Sequence, residues 1–505
     1  MPLVPRPNAA SRDLAAAVDL GSNSFHLVVA RIHESRIQVL DRLRERVRLG
    51  AGLDESGRMS EEVSERALAC LRRFRQRLDE VPKARVRAVA TDAFRRTVHP
   101  ANFRRRAEQA LGHPIEVVAG GEEARLVYLG VRHDLGSVGE KMLVVDVGGG
   151  STEIVVGSGR EPELGESLRM GSVRWSEQFF AQGIISSKRM KDARLAALHE
   201  LEPVAGLFRR TAPERWVASS GSALTMAALT RDREAGYPGL TSKGLEDLIA
   251  RVLRWRSLDQ VDLPGLEEAR LPNFLGGLAI LCAVVEALKI PRLETSNGAL
   301  REGVLVDLVG RLHHRGDPRL RAVEELARRC ETDPAQSARV RASATLLFAA
   351  VRSAWKLDEE EHLPLLGWAA LLHEVGHFVG HNGFHRHGRY LVENADLPGF
   401  SRTESAELGW LVWKHRRTLP PEHVTEAPGA RQETLLRLAL LLRLAARLHR
   451  ARGASPPPRL TLEPQRRGLL LRLPRRWLEE HPLTAFDLQE EAQDWKGLGF
   501  SLRFR

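Results

Sequence analysis

Residues 142–153 constrain the fold of this chain more than any other segment. The apolar run Met142-Leu143-Val144-Val145 leads to Asp146 and Val147. Then come Gly148-Gly149-Gly150, the hydroxyls of Ser151 and Thr152, and Glu153. A short apolar run bounded by glycines reads as a buried strand. Glycines let a backbone approach an anion closely and reach positive φ, and a turn of exposed N–H groups makes a nest for phosphate. Asp146 and Glu153 flank that nest. They suit a hard cation such as Mg²⁺, which takes few carboxylates and keeps waters and phosphate oxygens. A tight hairpin with incidental acids would have the same composition, so the segment needs a second observation beside it.

The N-terminal region supplies one. Ala16-Ala17-Val18-Asp19-Leu20-Gly21-Ser22-Asn23-Ser24 repeats the plan of strand, terminal Asp, Gly and small hydrogen-bonding side chains. Phe25 to Ile32 reads as the returning strand, which makes Gly21 to Ser24 a hairpin tip. Asp19 and Asp146 lie about one domain's length apart. Two such hairpins imply a duplicated α/β unit with a phosphate held between the copies. That layout resembles the phosphate-gripping core of the actin, sugar-kinase and Hsp70-like ATPase fold. Neutral donors in it would be Ser22, Asn23, Ser24, Ser151 and Thr152.

At 505 residues the chain has room for three or four domains. No apolar run reads as long enough to span a bilayer, and residues 1–7 (MPLVPRP) lack a signal-peptide pattern. The expectation is a cytoplasmic protein, with peripheral membrane association left open. Three widely spaced cysteines, Cys70, Cys282 and Cys330, fit a reducing compartment and no disulfide framework. Net charge is +11, and 67 of the 76 basic residues are arginine. That surplus favours polyanionic partners, although an Arg-for-Lys compositional bias produces the same count. Charge alone does not separate polyphosphate, nucleotide and nucleic acid.

Strand and helix alternate through the first 300 residues. Strands are expected near 14–20, 25–33, 36–43, 85–91 and 115–118, with helices at 60–78, 100–111 and 122–130. The second half opens at about 140. In it, residues 216–222 form a strand entering a Gly221-Ser222 turn, before a helix from Ala223. From about 318, amphipathic segments dominate (319–330, 335–356, 363–379, 403–416, 431–451), as in a helical domain. Residues 453–458 (GASPPP) are a breaker and linker. Paired strands at 460–462 and 468–473, a helix at 486–495 and a last strand at 499–504 then form a small α+β unit.

Along nearly its whole length the chain resembles the bacterial exopolyphosphatase / guanosine pentaphosphate phosphohydrolase family. The motifs that carry the likeness are residues 18–24 (VDLGSNS), 121–126 (GEEARL), 146–153 (DVGGGSTE), 170–173 (MGSV), 298–305 (GALREGVL), 372–376 (LHEVG) and 394–400 (NADLPGF). The long form looks most like the proteobacterial exopolyphosphatases. The resemblance implies an actin-like core in two domains (1–130 and 131–310), a helical HD-like domain (311–452) and a small α+β domain (453–505). It also implies Mg²⁺ dependence, with monovalent-cation stimulation left open, and a homodimer. The implied activity is processive release of orthophosphate from inorganic polyphosphate; the alternative is conversion of guanosine pentaphosphate (pppGpp) to ppGpp. No specific nucleic acid partner is expected. Three positions depart from the family pattern: Ser172 replaces a usual Cys, Ser222 a usual Thr, and Asn297 a usual Asp.

Hydrolysis of a phosphoanhydride needs charge neutralisation on the phosphoryl group and an oriented water in line with the leaving oxygen. Asp146 and Glu153 are the expected Mg²⁺ ligands. The family's catalytic glutamate lies in the Glu122-Glu123 motif; alignment favours Glu123, with Glu122 as the alternate. Two acids at a helix N-terminus would also complement the helix dipole. Arg95 resembles the family arginine that contacts the phosphate chain, and its guanidinium suits a bidentate grip. Gly221-Ser222 lies where related ATPases bind adenosine. The block His373-Glu374-Val375-Gly376-His377 fits the HExxH pattern. Gly376 weakens such a helix, and His-Glu stands where HD phosphohydrolases have His-Asp, so a vestigial structural role is expected. Arginines of the helical half (Arg416, Arg417, Arg431, Arg437, Arg443, Arg447, Arg450, Arg452) are candidates for a polyphosphate path.

Overall fold

The computed structural model describes residues 13–33, 36–54, 56–97, 100–136, 139–230, 240–312, 317–428, 431–452 and 461–504. The proline-rich segment 453–458 and residues 1–7 lie outside them. The chain divides into two compact units, Met1–Asp317 and Pro318–Arg505.

The first unit holds two five-stranded sheets of the same topology. In the first sheet β1 (Leu14–Leu20), β2 (Phe25–His33) and β3 (Arg36–Glu45) form an antiparallel meander. β4 (Val86–Ala90) and β5 (Ile115–Val117) add in parallel on the other side of β1, giving the order β3-β2-β1-β4-β5. The second sheet repeats this with β6 (Met142–Val147), β7 (Thr152–Gly157), β8 (Leu164–Leu168), β9 (Arg215–Ser219) and β10 (Glu294–Thr295), in the order β10-β9-β6-β7-β8. β1 and β6 are therefore equivalent, and each ends near its aspartate.

Both central strands are apolar on two faces, and period two sorts those faces. Ala16, Val18 and Leu20 pack with the helix Glu61–Leu78, while Ala15 and Ala17 face a middle core shared with Met142 and Val144 of β6. Leu143, Val145 and Val147 point the other way, into the core of the second half. Between the sheets, the middle core is filled by two helices, Gly120–Leu135 and Leu300–Leu312. Their backbones touch at glycines. A Cβ on Gly303 would lie 1.7 Å from the Leu126 carbonyl oxygen, and one on Gly130 would lie 2.1 Å from that of Ala299.

The strand after Trp216 ends sooner than its sequence implied. Helix Ser220–Leu229 already includes Gly221 and Ser222, so these two residues form a first helical turn and not a Gly/Ser turn before it. The chain enters that helix through Ser220 at φ 88°. The helix Leu271–Leu288 also departs from expectation. With the residues just before it, it is long and apolar enough to cross a membrane, yet 72 % of its apolar window is buried within the fold.

The second unit contains helices at Pro318–Arg329, Pro334–Val351, Glu359–Leu372, Phe384–Asn394, Arg402–Lys414 and Gln432–Leu448. Ser401 and Glu404 close a capping box at the start of Arg402–Lys414. β11 (Thr461–Gln465), β12 (Gly468–Arg472) and β13 (Ser501–Phe504) form a small sheet with the helix Pro482–Gly497. Leu469, Leu471, Trp495 and Leu502 of this part pack in one apolar cluster with Phe348 and Leu438 of the helices and with Trp355 in the turn after Pro334–Val351. Within this unit the expected boundary at 453 does not separate two cores.

HExxH does not form a helical metal face. The helix stops at Leu372, and Val375–Phe378 is a separate 3-10 turn. A Cβ on Gly376 would meet the Phe384 carbonyl oxygen at 1.9 Å, so close packing demands a glycine there. His377 stacks on Phe384, Glu374 pairs with Arg452, and no group of three potential metal-binding side chains converges among the described residues. His373 and His415 are buried edge-to-face, with their Nδ1 atoms on the Ala370 and Val412 carbonyls. Burial lowers the pKa of both, and that of His385 to about 4. A depressed imidazole pKa makes a contribution to stability that is complete above the unfolded value of about 6.5 and is lost as pH falls toward 4. The urea midpoint of this unit, read by tryptophan fluorescence, is therefore expected to drop between pH 7.5 and 5, and to drop less in His415→Leu. Equal slopes for the two proteins would refute the assignment. The raised carboxyls of Glu407 and Asp494 act in the opposite sense and are common to both proteins.

Candidate active site

Both glycine hairpins open on one cavity of about 380 Å³. In the first hairpin, Gly50 and Arg48 donate backbone N–H bonds to the Ser22 and Asn23 carbonyls and hold the tip. In the second, Gly148 N–H bonds the Ser151 carbonyl, while the first turn of helix Ser172–Phe179 donates to Gly148 and Gly149. Ser172, the departure from the usual Cys, adds its hydroxyl to the Gly148 carbonyl at 3.0 Å. None of Gly21, Gly148, Gly149 and Gly150 uses a left-handed backbone. At Gly150 the need for glycine is steric, since a Cβ would lie 2.3 Å from Asp92 Oδ2, and the neighbouring Gly171 is equally tight, where a Cβ would lie 2.3 Å from the Gly149 carbonyl oxygen.

Asp19, Gly21, Ser22, Asn23, Ser24, Gly148, Gly149, Gly150, Ser151, Gly221 and Ser222 all line the cavity, with Glu123, Asp146 and Glu153. Thr152 does not. Its side chain is fully buried and donates to the Met170 carbonyl at 2.6 Å, because successive residues of a strand face opposite ways. Arg95 stands behind the wall. Its Nη1 bonds Glu123 Oε2 at 2.8 Å and the Val118 carbonyl at 2.9 Å, so it grips the candidate base in place of free space in the cavity.

The adjacent glutamates part company. Glu123 reaches the cavity, whereas Glu122 is buried against Arg125 at 2.7 Å and 2.9 Å and lies outside the lining. One residue along a helix turns the side chain by about 100°.

Four carboxylates, Asp19, Glu123, Asp146 and Glu153, share the cavity. Burial, then the neighbouring acids, push the Asp19 pKa up to about 8 and that of Asp146 to about 7; Arg301 opposes both. Glu153 is pushed well above its usual range by burial, Glu123 and Asp146, and accepts a hydrogen bond from Ser167 Oγ at 2.7 Å. Burial also raises Glu123, although Arg95 pulls it back. Asp19 Oδ1 is buried without a hydrogen-bond partner. Mutually repelling hard oxygens with an orphaned acceptor are a donor set that Mg²⁺ fits. Among the described residues they do not converge into a group of three metal ligands.

The same cavity carries a basic set, most of which was not read from the sequence. Arg42, Arg44 and Arg46 line the cavity with His26, Arg270, Asn273 and Arg301. The spacing of Arg42 and Arg44 is a strand signal, since alternate residues share a face, and Arg46 follows directly after the strand. Arg270 lies over Gly221, where a Cβ would fall 2.0 Å from its Nη1. Burial and the repulsion of Arg46 lower the Arg270 pKa, and burial with Arg270, Arg46 and Arg301 lowers that of Arg44. Burial and three of these arginines depress the His26 pKa to about 3, which leaves the ring neutral. Asn297 also lines the cavity.

Paired sheets of equal topology, each offering a glycine hairpin to one cavity, define an actin-like two-domain phosphatase core. Residues 28–312 match the Ppx/GppA phosphatase family, and residues 319–492 match the Ppx/GppA phosphatase, domain III. The chain belongs to the Ppx/GppA phosphatase family, hydrolases that act on phosphoric anhydrides. It is 36 % identical over 97 % of its length to the guanosine-5'-triphosphate,3'-diphosphate pyrophosphatase of Aeromonas hydrophila, covering 98 % of that protein. The protein of the same name from Aeromonas salmonicida is 34 % identical over the same shares. Among solved structures, the Aquifex aeolicus member of the Ppx/GppA family is 29 % identical, with a TM-score of 0.51 over 60 % of this chain and 99 % of that one. An exopolyphosphatase from Cytophaga hutchinsonii, 24 % identical, shares the fold at a TM-score of 0.53 over 60 % and 99 %.

Proposed function

We propose that this protein hydrolyses the terminal 5'-phosphate of guanosine pentaphosphate, releasing orthophosphate and the tetraphosphate. The observation that carries this reading is a single cavity lined by both glycine hairpins, by four carboxylates and by Arg42, Arg44, Arg46, Arg270 and Arg301. The two Aeromonas relatives, named for that substrate and matched over nearly the whole chain, support it over the polyphosphate activity that the sequence resemblance placed first.

The hairpin N–H groups and the hydroxyls of Ser22, Ser24 and Ser151 hold the terminal phosphoryl. Glu123, ionised, accepts a proton from the attacking water as its oxygen bonds to phosphorus and the anhydride P–O bond breaks. Arg95 keeps Glu123 on the cavity side. Asp146 and Glu153 are the residues that would hold Mg²⁺, whose contribution is to neutralise phosphate charge. Arg270, beside Gly221 and Ser222, takes the anionic remainder of the substrate with Arg44 and Arg46.

The test is phosphate release by purified protein with Mg²⁺, comparing pppGpp with long-chain polyphosphate. A kcat/KM for pppGpp at least about tenfold higher is expected, a difference of about 1.4 kcal/mol in barrier. Faster release from polyphosphate would return the assignment to an exopolyphosphatase. Release from neither would sink both.

Metal dependence has its own signature. Carboxyl pKa values raised by burial make a contribution to stability that is complete below about pH 4 and is lost as pH rises through 7 to 8. A cation on these carboxylates offsets that loss, so Mg²⁺ is expected to raise the melting temperature more at pH 8.5 than at pH 6. An equal shift at both pH values would remove Asp146 and Glu153 as its ligands.

A further inference from the structure

Behind the cavity wall lies a cluster of charges that takes no part in lining it. Asp307 accepts from Arg87 Nη1 at 2.6 Å, Arg125 Nη2 at 2.5 Å and Arg311 Nε at 2.6 Å. Glu122 shares Arg125 and stands 3.6 Å from Arg87, which also bonds Glu116. The side chains of Arg87, Glu122, Arg125 and Asp307 are all 2–3 % exposed. Burial pushes the Asp307 pKa up, but Arg311, Arg125 and Arg87 hold it well below the usual carboxylate range.

Three elements meet there. Arg87 comes from β4, Glu122 and Arg125 from the first turns of Gly120–Leu135, and Asp307 from Leu300–Leu312. Each of those two helices also sends a charged residue into the cavity, Glu123 from the first and Arg301 from the second. Glu123 and Glu122 are chain neighbours, and Arg301 occupies the first turn of the helix that carries Asp307. The glycine contacts at Gly130 and Gly303 bring the helices together, but backbone contact alone permits sliding and rotation. A charged cluster with directional bonds does not.

We infer that the Arg87–Glu122–Arg125–Asp307 cluster is a positioning device for the reaction, which sets Glu123 against the phosphate site by tying its helix to β4 and to the helix of Arg301. Buried ion clusters are a poor means of stabilisation, since apolar residues of similar volume do as well or better. Directional specificity is what they offer. A displacement of about 1 Å at a reacting group costs on the order of 100-fold in rate, so a fixed register has catalytic value. The inference rests on Glu123 as the base and assigns the neighbouring Glu122 a separate task.

The test uses full-length enzyme carrying Glu122→Gln, Asp307→Asn or the milder Glu116→Gln, each assayed well below its own melting temperature. Expected is a kcat loss of about 10–100-fold for the first two, with KM for pppGpp within about twofold. Asp307→Glu should recover part of the loss. Glu122→Gln with Asp307→Asn should cost less than the product of the single losses, because both act through one register. Lower melting temperatures with kcat per folded molecule unchanged would overturn the inference and leave a structural cluster. If Asp307→Asn fails to fold, Glu116→Gln decides: a kcat loss of about threefold at constant KM supports the inference, and full kcat overturns it. Full activity in Glu123→Gln would instead sink the base assignment, so the two failures are separable.

Discussion

Glu123→Gln is expected to lower kcat by about 10²–10⁴-fold, the range for a general acid or base, while KM for pppGpp changes little. The amide keeps the shape of the carboxylate and can still accept the Arg95 bond, but it cannot take the proton of the attacking water. Global stability should shift only slightly, because burial and Asp92 already oppose the charge that is removed. In the unsubstituted enzyme the base must be ionised, so activity rises with pH through the Glu123 pKa. Burial places that limb above the ordinary glutamate value of about 4.3. Steady-state kinetics across pH 4 to 8 check both statements. A kcat within tenfold of the parent would remove Glu123 from the chemistry.

Gly303→Ala should produce the largest loss of stability. Alanine is intrinsically better than glycine in a helix by about 1 kcal/mol, so propensity alone predicts a gain. Against it, the added Cβ would lie 1.7 Å from the Leu126 carbonyl oxygen and 2.6 Å from its carbon, and neither is a flexible side-chain end. The helices Gly120–Leu135 and Leu300–Leu312 would have to part, emptying the middle core around Val127, Val304 and Leu308. A net loss of about 2–4 kcal/mol follows. Gly159→Ala, where nothing lies within 4 Å, should stay within about 0.5 kcal/mol of the parent. Urea denaturation of the three proteins decides the matter, and a Gly303→Ala midpoint at or above the parent would refute it.

Much of the core was legible from its period. β1 and β6 are apolar runs ending at aspartates, and their hairpins return as the run Phe25 to Ile32 and the Gly-Ser-Thr turn implied. The same reasoning applied to Arg42 and Arg44 would have put two guanidinium groups on one face of an edge strand, with Arg46 just past its end. Gly221-Ser222 was misread because a Gly/Ser pair suits a turn and a first helical turn equally, and Ser220 takes up the unusual φ. HExxH matched by pattern, but Gly376 packs on the Phe384 carbonyl and the helix ends before it.

By itself the sequence determined the duplicated hairpin architecture, the family, and the acids that line the cavity. These depend on local spacing: period two in strands, glycine at turns, a carboxylate at each strand end. Tertiary structure alone decided which residue of each adjacent pair serves the cavity. Glu123 faces it and Glu122 does not, Ser151 faces it and Thr152 does not, and Arg95 holds a side chain where a phosphate contact was expected. The direction of a side chain depends on which partners arrive from distant parts of the chain. Asp307 reaches Arg125 across 182 residues and Arg87 across 220, contacts that no local pattern encodes.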